Sequence, residues 1–405
     1  MMYHIPSYVP PEEILNKYAD VLVNFALNSG HGIRENEVVQ CMVPDVAKPL
    51  ALALHNAILR SGGHPIIRLV PSGFDKHFYD MANDEQLVFF PHELLKARAK
   101  IINHSIGIIA DVDPLELAEV SSEKIMRVRN SRKKFRDWLD KKEIQGQFTW
   151  TLALWGVDAK ATEVGLTLKE YWDQIIKACF LDEQDPVGKW REISKFQKET
   201  LKKLNELRID YLEVKGEDVD LKVGLGPNRI WHGGSGRNIP SFEFFTSPDW
   251  RRVEGWVNFN QPVYRYGQVI SDVKLKVKKG IVIEASATRG EKLLKEMLKT
   301  KNANKFGEFS LTDKRTSKIT HVMAETLFDE NIGGPFGNTH LAIGRAYKDC
   351  YRGDVSTVKT QEWAKMGYND SAEHTDIVST TDRTVTAYLT DGTSLVIYKD
   401  GKFIL

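Results

Sequence analysis

Cysteine is scarce in this chain: Cys41, Cys179 and Cys350 are the three in 405 residues. They are far apart and show no CxxC spacing. That argues against a disulfide framework and against a four-cysteine zinc site, and it fits a reducing cytoplasm. All three read as small buried apolar residues. No charge sign is in excess, with 56 Lys and Arg against 55 Asp and Glu and a net charge of +1. Without a long-range field, neither nucleic acid nor an anionic membrane is an expected partner. No apolar run reaches the roughly 18–20 residues needed to cross a bilayer. The leading segment sets Pro6, Pro10 and Pro11 ahead of Glu12 and Glu13, which is not the basic-then-apolar order of a secretory signal. No GxGxxG or GxxxxGK[ST] loop follows a strand-like run, so dinucleotide and P-loop nucleotide sites lack a motif. Internal repeats and low-complexity tracts are also missing.

What is present is globular in proportion, at 42% hydrophobic and 27% charged residues, and long enough for two domains with real cores. In the amino half, apolar runs at Val38–Val43, Pro65–Val70, Ala99–Ala110 and Phe148–Trp155 read as strands. Helical spacing lies between them, around 84–98, 114–139 and 168–179. That alternation predicts βαβ units in an open, mainly parallel sheet. Residues 186–208 are charged with helical period and read as a solvated connecting helix. The texture then changes. Alternating runs at Leu207–Val214, Val219–Leu225 and Val269–Val277 are punctuated by turns, and Asp391-Gly392 and Asp400-Gly401 mark hairpins. The expected fold is α/β: an N-terminal open, mainly parallel sheet domain over 1–220, and a C-terminal α+β domain over 221–405, rich in antiparallel strands.

Five stretches of the C-terminal half set hard ligands among glycines and turn residues. Glu243 lies in an aromatic run between Pro240 and Pro248. It is either a carboxylate on an exposed strand face or one satisfied by a cation. Glu308 follows Gly307 at the start of an apolar run. Glu330 and His340 bracket a loop with Gly333, Gly334, Pro335 and Gly337, and His340 opens a small-residue segment with a helical look. Tyr347, seven residues on, then lies on the same helical face, or is an ordinary half-buried tyrosine. His374 and Asp376 are two apart, so on a strand both point to one side. Four carboxylates and two imidazoles suit zinc, cobalt or manganese better than calcium. They exceed the needs of one tetrahedral zinc. Two ions sharing a carboxylate and a bridging water would use all six.

These stretches resemble the aminopeptidase T family of metallopeptidases. The likeness runs over most of the chain and is specific from about Asn238 onward. IPSFEFFTSP resembles the family's first glutamate motif, Gly307-Glu308 its Gly-Glu motif, and Leu327–Asn331 its LFDEN motif. His340–Gly344 matches its His-Leu-Ala-Ile-Gly motif, Tyr347 the tyrosine that follows it, and His374-Thr375-Asp376 its His-x-Asp motif. The resemblance implies metal ligands at Glu243, Glu308, Glu330, His340, His374 and Asp376, with Glu308 bridging two ions. It implies amino-terminal exopeptidase activity, a homodimer, and weak metal selectivity; the expected substrates are short peptides with a free N-terminus. Glu308 and Tyr347 are the expected catalytic residues, as proton carrier and oxyanion donor. The chain departs from the pattern between Glu330 and His340, where much of GGPFGNT looks inserted, which bears on substrate preference. The same ligands would also serve an amidohydrolase acting on a non-peptide amide. A silent relative with a binding role would be expected to have lost one or two of them.

Overall fold

The computed structural model describes residues 6–226, 228–234 and 236–405. Residues 1–5, which open the segment read above for its order of charge and apolarity, lie outside that set. The chain forms two compact units. One comprises Met1–Arg191 with Ser235–Pro240, the other Glu192–Gly234 with Ser241–Leu405.

The first unit is built on a five-stranded sheet in the order His64–Val70, Val38–Pro44, His104–Ile109, Thr149–Leu154, Asn238–Ile239. Its neighbours all pair in parallel. The expected third strand is shorter than the apolar run suggests. Ala99–Ile101 end the helix His92–Ile101, and the strand begins at His104. An apolar run cannot by itself separate a buried helical turn from a strand.

The second unit layers an eight-stranded sheet against a four-stranded one. The eight strands run Ile281–Ser286, Lys274–Lys278, Val253–Asn258, Val219–Gly224, Ile209–Gly216, Thr384–Leu389, Ser394–Lys399, Lys402–Phe403. The four run His374–Ser379, Asn338–Gly344, Phe306–Thr312, Glu243–Thr246, all antiparallel. Leu212, Val214, Leu221 and Val257 of the larger sheet meet Phe244, Phe309, Leu311, Leu341 and Ile377 of the smaller in one core. The run expected as a single strand over Val269–Val277 is broken into Gln268–Ile270 and Lys274–Lys278, with Asp272 at φ 52 between them. Val263–Arg265 and Gln268–Ile270 form a separate hairpin. The helix Pro186–Glu206 is not merely solvated: Trp190, Ile193, Gln197, Thr200 and Leu204 form a buried stripe at helical spacing.

The smaller sheet decides what the molecule can do. Side chains alternate across a strand, so Phe309, Leu311, Leu341, Ile343 and Ile377 fill the core, and their neighbours in sequence face the other way. Asn338–Gly344 is a strand, not the helical segment that its small residues suggest, and every residue in it is buried. A strand covered on both faces loses its polar alternation, so its sequence no longer shows a period of two. Tyr347 follows that strand in an irregular segment, not two helical turns along a face.

Candidate metal centre

The register of the small sheet sets the candidate ligands side by side. Glu308 pairs with Ala342, and Ala342 with Asp376; Thr312 pairs with Glu243. Directly opposed residues share a face, so Glu243, Glu308, His340, His374 and Asp376 all rise from the side opposite the core. His340 Nε2 lies 3.5 Å from Glu243 Oε2 and 3.4 Å from Glu308 Oε1. His374 Nε2 lies 3.4 Å from the other Glu308 oxygen and 3.5 Å from Asp376 Oδ1. Two ligand groups result, Glu243–Glu308–His340 and Glu308–His374–Asp376, and they intersect at Glu308.

Ala342 matters by its size. It sits between Glu308 and Asp376 in the row, and its methyl group leaves room above it for both carboxylates to turn toward His374. Gly307 is required for a similar reason. A Cβ there would stand 2.1 Å from the Arg345 carbonyl oxygen, and that carbonyl accepts a 2.8 Å hydrogen bond from His374 Nδ1. Since a carbonyl only accepts, Nδ1 carries the proton and Nε2 is left as the ligand atom.

Glu330 comes from outside the sheet, directly after the short helix Thr326–Asp329. Asp329 fixes the preceding loop, accepting from the Met323 and Glu325 amides at 2.6 and 3.0 Å. The side chain of Asn338 donates to the Glu330 and Ile332 carbonyls at 2.7 and 3.1 Å. The Glu330 carboxyl falls outside both ligand groups, yet it shares the field of Glu243, Asp376 and Glu308. Tyr347 reaches the cluster with its hydroxyl 3.3 Å from His374 Nε2. Its ring packs 4.9 Å from that of His374 and 5.5 Å from that of Phe245.

The electrostatics are those of a site built for cations. Burial, then the charge of Glu308, pushes the Glu243 carboxyl up to about 8. Burial and Glu243 likewise raise Glu330. Burial works against charge on His340 and His374, but their carboxylate neighbours prevail and lift them to about 9 and about 11. Burial opposes ionisation of Asp376 as well; the His374 charge outweighs it and lowers the group to about 2. Both ring nitrogens of His340 and Oδ1 of Asp376 are buried without a hydrogen-bond partner among the described residues. Orphaned buried donors and acceptors are costly, and divalent cations would satisfy the acceptor nitrogen of His340 and Oδ1 of Asp376. Nitrogen and oxygen donors without thiolate suit first-row metals, so the residues present fit such ions.

Sequence reasoning missed Ala342, Arg345 and the group formed by Arg265, Tyr266 and Glu373.

Fold and site together define a metal-dependent hydrolase assembled on one face of an antiparallel sheet. Comparison with known proteins agrees. Residues 11–403 match the thermophilic metalloprotease family, M29, and the chain belongs to that family. Among its relatives, the aminopeptidase T of Thermus thermophilus is 28% identical over 80% of this chain and 83% of its own length. Aminopeptidase AmpS of Bacillus subtilis is 26% identical over 96% and 98%. The aminopeptidase T of Thermus aquaticus is 32% identical, and the chain spans 63% of its length. The solved structure of wild-type AmpT from Thermus thermophilus shares the fold, with a TM-score of 0.81, 24% identity, and coverage of 97% of this chain and 100% of that one. The chain is thus a peptidase of the metalloprotease class. Neither the amidohydrolase reading nor that of a silent relative is favoured. No described helix is long and apolar enough to cross a membrane.

Proposed function

We propose that the chain removes amino-terminal residues from short peptides with a free N-terminus. It would use two divalent ions, zinc, cobalt or manganese, held by Glu243, Glu308, Glu330, His340, His374 and Asp376. The observation that carries this reading is the intersection of two ligand groups at one carboxylate, Glu308. Bound there, such ions supply a water of lowered pKa and polarise a carbonyl. The protein's own groups do the rest. Glu308 offers one oxygen to each histidine and is the first choice to take up and return a proton. Burial of the Tyr347 hydroxyl and the negative charges of Glu308 and Asp376 hold its phenol well above the usual tyrosine range. It therefore stays protonated and can donate to a developing oxyanion, a contribution of roughly 3–4 kcal/mol for one such donor.

The family resemblance supports a homodimer. Exposed Phe74, Phe78, Met81 and Phe89 in the first unit offer apolar surface for association. Three buried free thiols are in keeping with a cytoplasmic location.

The test is hydrolysis of a dipeptide panel by protein stripped of metal and then given zinc, cobalt or manganese. Restored cleavage of free-amine substrates, absent for acetylated ones, is expected. Equal cleavage of acetylated substrates, or none with any metal, would refute the reading.

A further inference from the structure

We propose that Arg265 is a specificity-determining residue of this cleft, one that receives a carboxylate of the substrate. The proposal rests on the peptidase reading and deepens it.

Arg265 ends the first strand of the hairpin Val263–Arg265/Gln268–Ile270, whose turn passes through Tyr266 at φ 52 and Gly267 at φ 68. It lines one cleft together with Asp329, Glu330, His374 and Asp376. A single nitrogen, Nη2, accounts for its anchoring, donating to Glu373 Oε1 at 3.2 Å and to the His374 carbonyl at 3.0 Å. Glu373 does not depend on Arg265 alone. The Tyr266 hydroxyl donates to its Oε2 at 2.8 Å and the Thr375 hydroxyl to its Oε1 at 2.5 Å. The Arg265 Nε, by contrast, is buried and meets no acceptor among the described residues.

A guanidinium has five N–H donors in a fixed fork. This one spends one nitrogen on holding itself in place and leaves a buried donor unspent, which is unfavourable unless something arrives to accept from it. The other charged walls of the cleft are the acids Asp329, Glu330 and Asp376, beside His374. A fixed cation in such a place repels a cationic group and gives a neutral acceptor only a single, weaker hydrogen bond. It does suit an anion, and a planar carboxylate matches the guanidinium fork. In a peptide substrate that carboxylate is either the free C-terminus of a dipeptide or the side chain of an acidic first residue.

The experiment compares wild type with Arg265→Gln, each loaded with the metal that supports the wild type. Four substrates are used: alanyl-alanine, its C-terminal amide, alanine p-nitroanilide and glutamate p-nitroanilide. For alanyl-alanine the variant is expected to show a KM raised about 10- to 100-fold, the scale of one lost charge-assisted hydrogen bond. Its kcat should change little, and the amide and alanine p-nitroanilide should be unaffected. A loss confined to glutamate p-nitroanilide also supports the proposal and assigns the carboxylate to the side chain. Equal loss on all four substrates, or no loss, overturns it and leaves Arg265 as a strut for the hairpin. Tyr266→Phe, which removes one bond to Glu373 and keeps Arg265, should alter all four alike. Wild type that cleaves none of the four substrates would instead refute the peptidase reading, and this proposal with it.

Discussion

The carbonyl of Arg345 and the bare Cα of Gly307 are fitted to each other: a side chain on Gly307 would begin 2.1 Å from that oxygen. The same oxygen orients His374. Gly307→Ala should therefore act at a distance from its own position, by moving the acceptor of the His374 Nδ1 proton. The expected result is a loss of about 10- to 100-fold in metal affinity or activity, the range seen when a ligand histidine loses its orienting partner. Chelator competition measures it. Unchanged affinity would mean that the backbone yields without turning the imidazole.

Glu308 belongs to both ligand groups. Glu308→Gln should abolish turnover and lower metal content at both positions together, as read by elemental analysis of the purified protein. A variant with near-normal rate would sink the assignment.

Ala342 pairs with Glu308 on one side and Asp376 on the other. Ala342→Leu should thrust a branched side chain between the carboxylates. We expect impaired metal retention and a stability cost of about 1–3 kcal/mol from overpacking. Ala342→Gly should keep its metal. Full metal content in the leucine variant would show that the row is looser than its register implies.

Tyr347→Phe should leave metal content unchanged and lower kcat by about 10²- to 10³-fold, the range for loss of one oxyanion donor. A change in KM alone would assign Tyr347 to substrate binding.

The first unit holds a separate acid-sensitive element. The Asn28 amide donates to Thr149 Oγ1 at 3.1 Å, and that hydroxyl can give its own proton to His104 Nδ1 at 2.8 Å. His104 Nε2–H can then donate to Glu37 at 2.8 Å. In that arrangement the imidazole is neutral. Burial lowers the His104 pKa from its ordinary value. Glu37 is lowered too: burial opposes this, and its hydrogen bond from His104 outweighs it. Depressed folded pKa values mean that the unfolded state binds more protons. The stabilisation is therefore present above the unfolded histidine pKa of about 6.5 and is lost as pH falls below it. Thermal unfolding between pH 8 and 5 should show wild type losing more stability than His104→Gln. Parallel profiles would exclude His104 as the cause.

Much of this was legible in the sequence for identifiable reasons. His374 and Asp376, two apart before an apolar run, could be given one face because a strand alternates. The parallel sheet of the first unit followed from apolar runs alternating with helical spacing. What failed had a common cause. Along 338–344 both strand faces are covered, so alternation disappears and small residues mimic a helix. Arg265 and Glu373 are distant in sequence and meet only where the hairpin packs beside the small sheet, which no local pattern carries. Ala342 is chosen for the space it leaves, and an alanine in a sequence does not show what stands beside it.

The chain's last residues hold the segment between Glu330 and His340. The Tyr398 hydroxyl donates to the Phe336 and Thr312 carbonyls at 3.0 and 2.9 Å. Gly401 lies so close to Phe336 that a Cβ on it would meet that backbone at 2.5 Å, and the Phe403 amide donates to Asp313 at 2.9 Å. Trimming the chain ahead of Tyr398 would thus unfasten the loop while every proposed ligand, all upstream of Ile377, stayed in the polypeptide. Such a product would be correct by composition and slack at its centre. Residues 398–403 are thus the clasp of a loop whose two ends are proposed ligands.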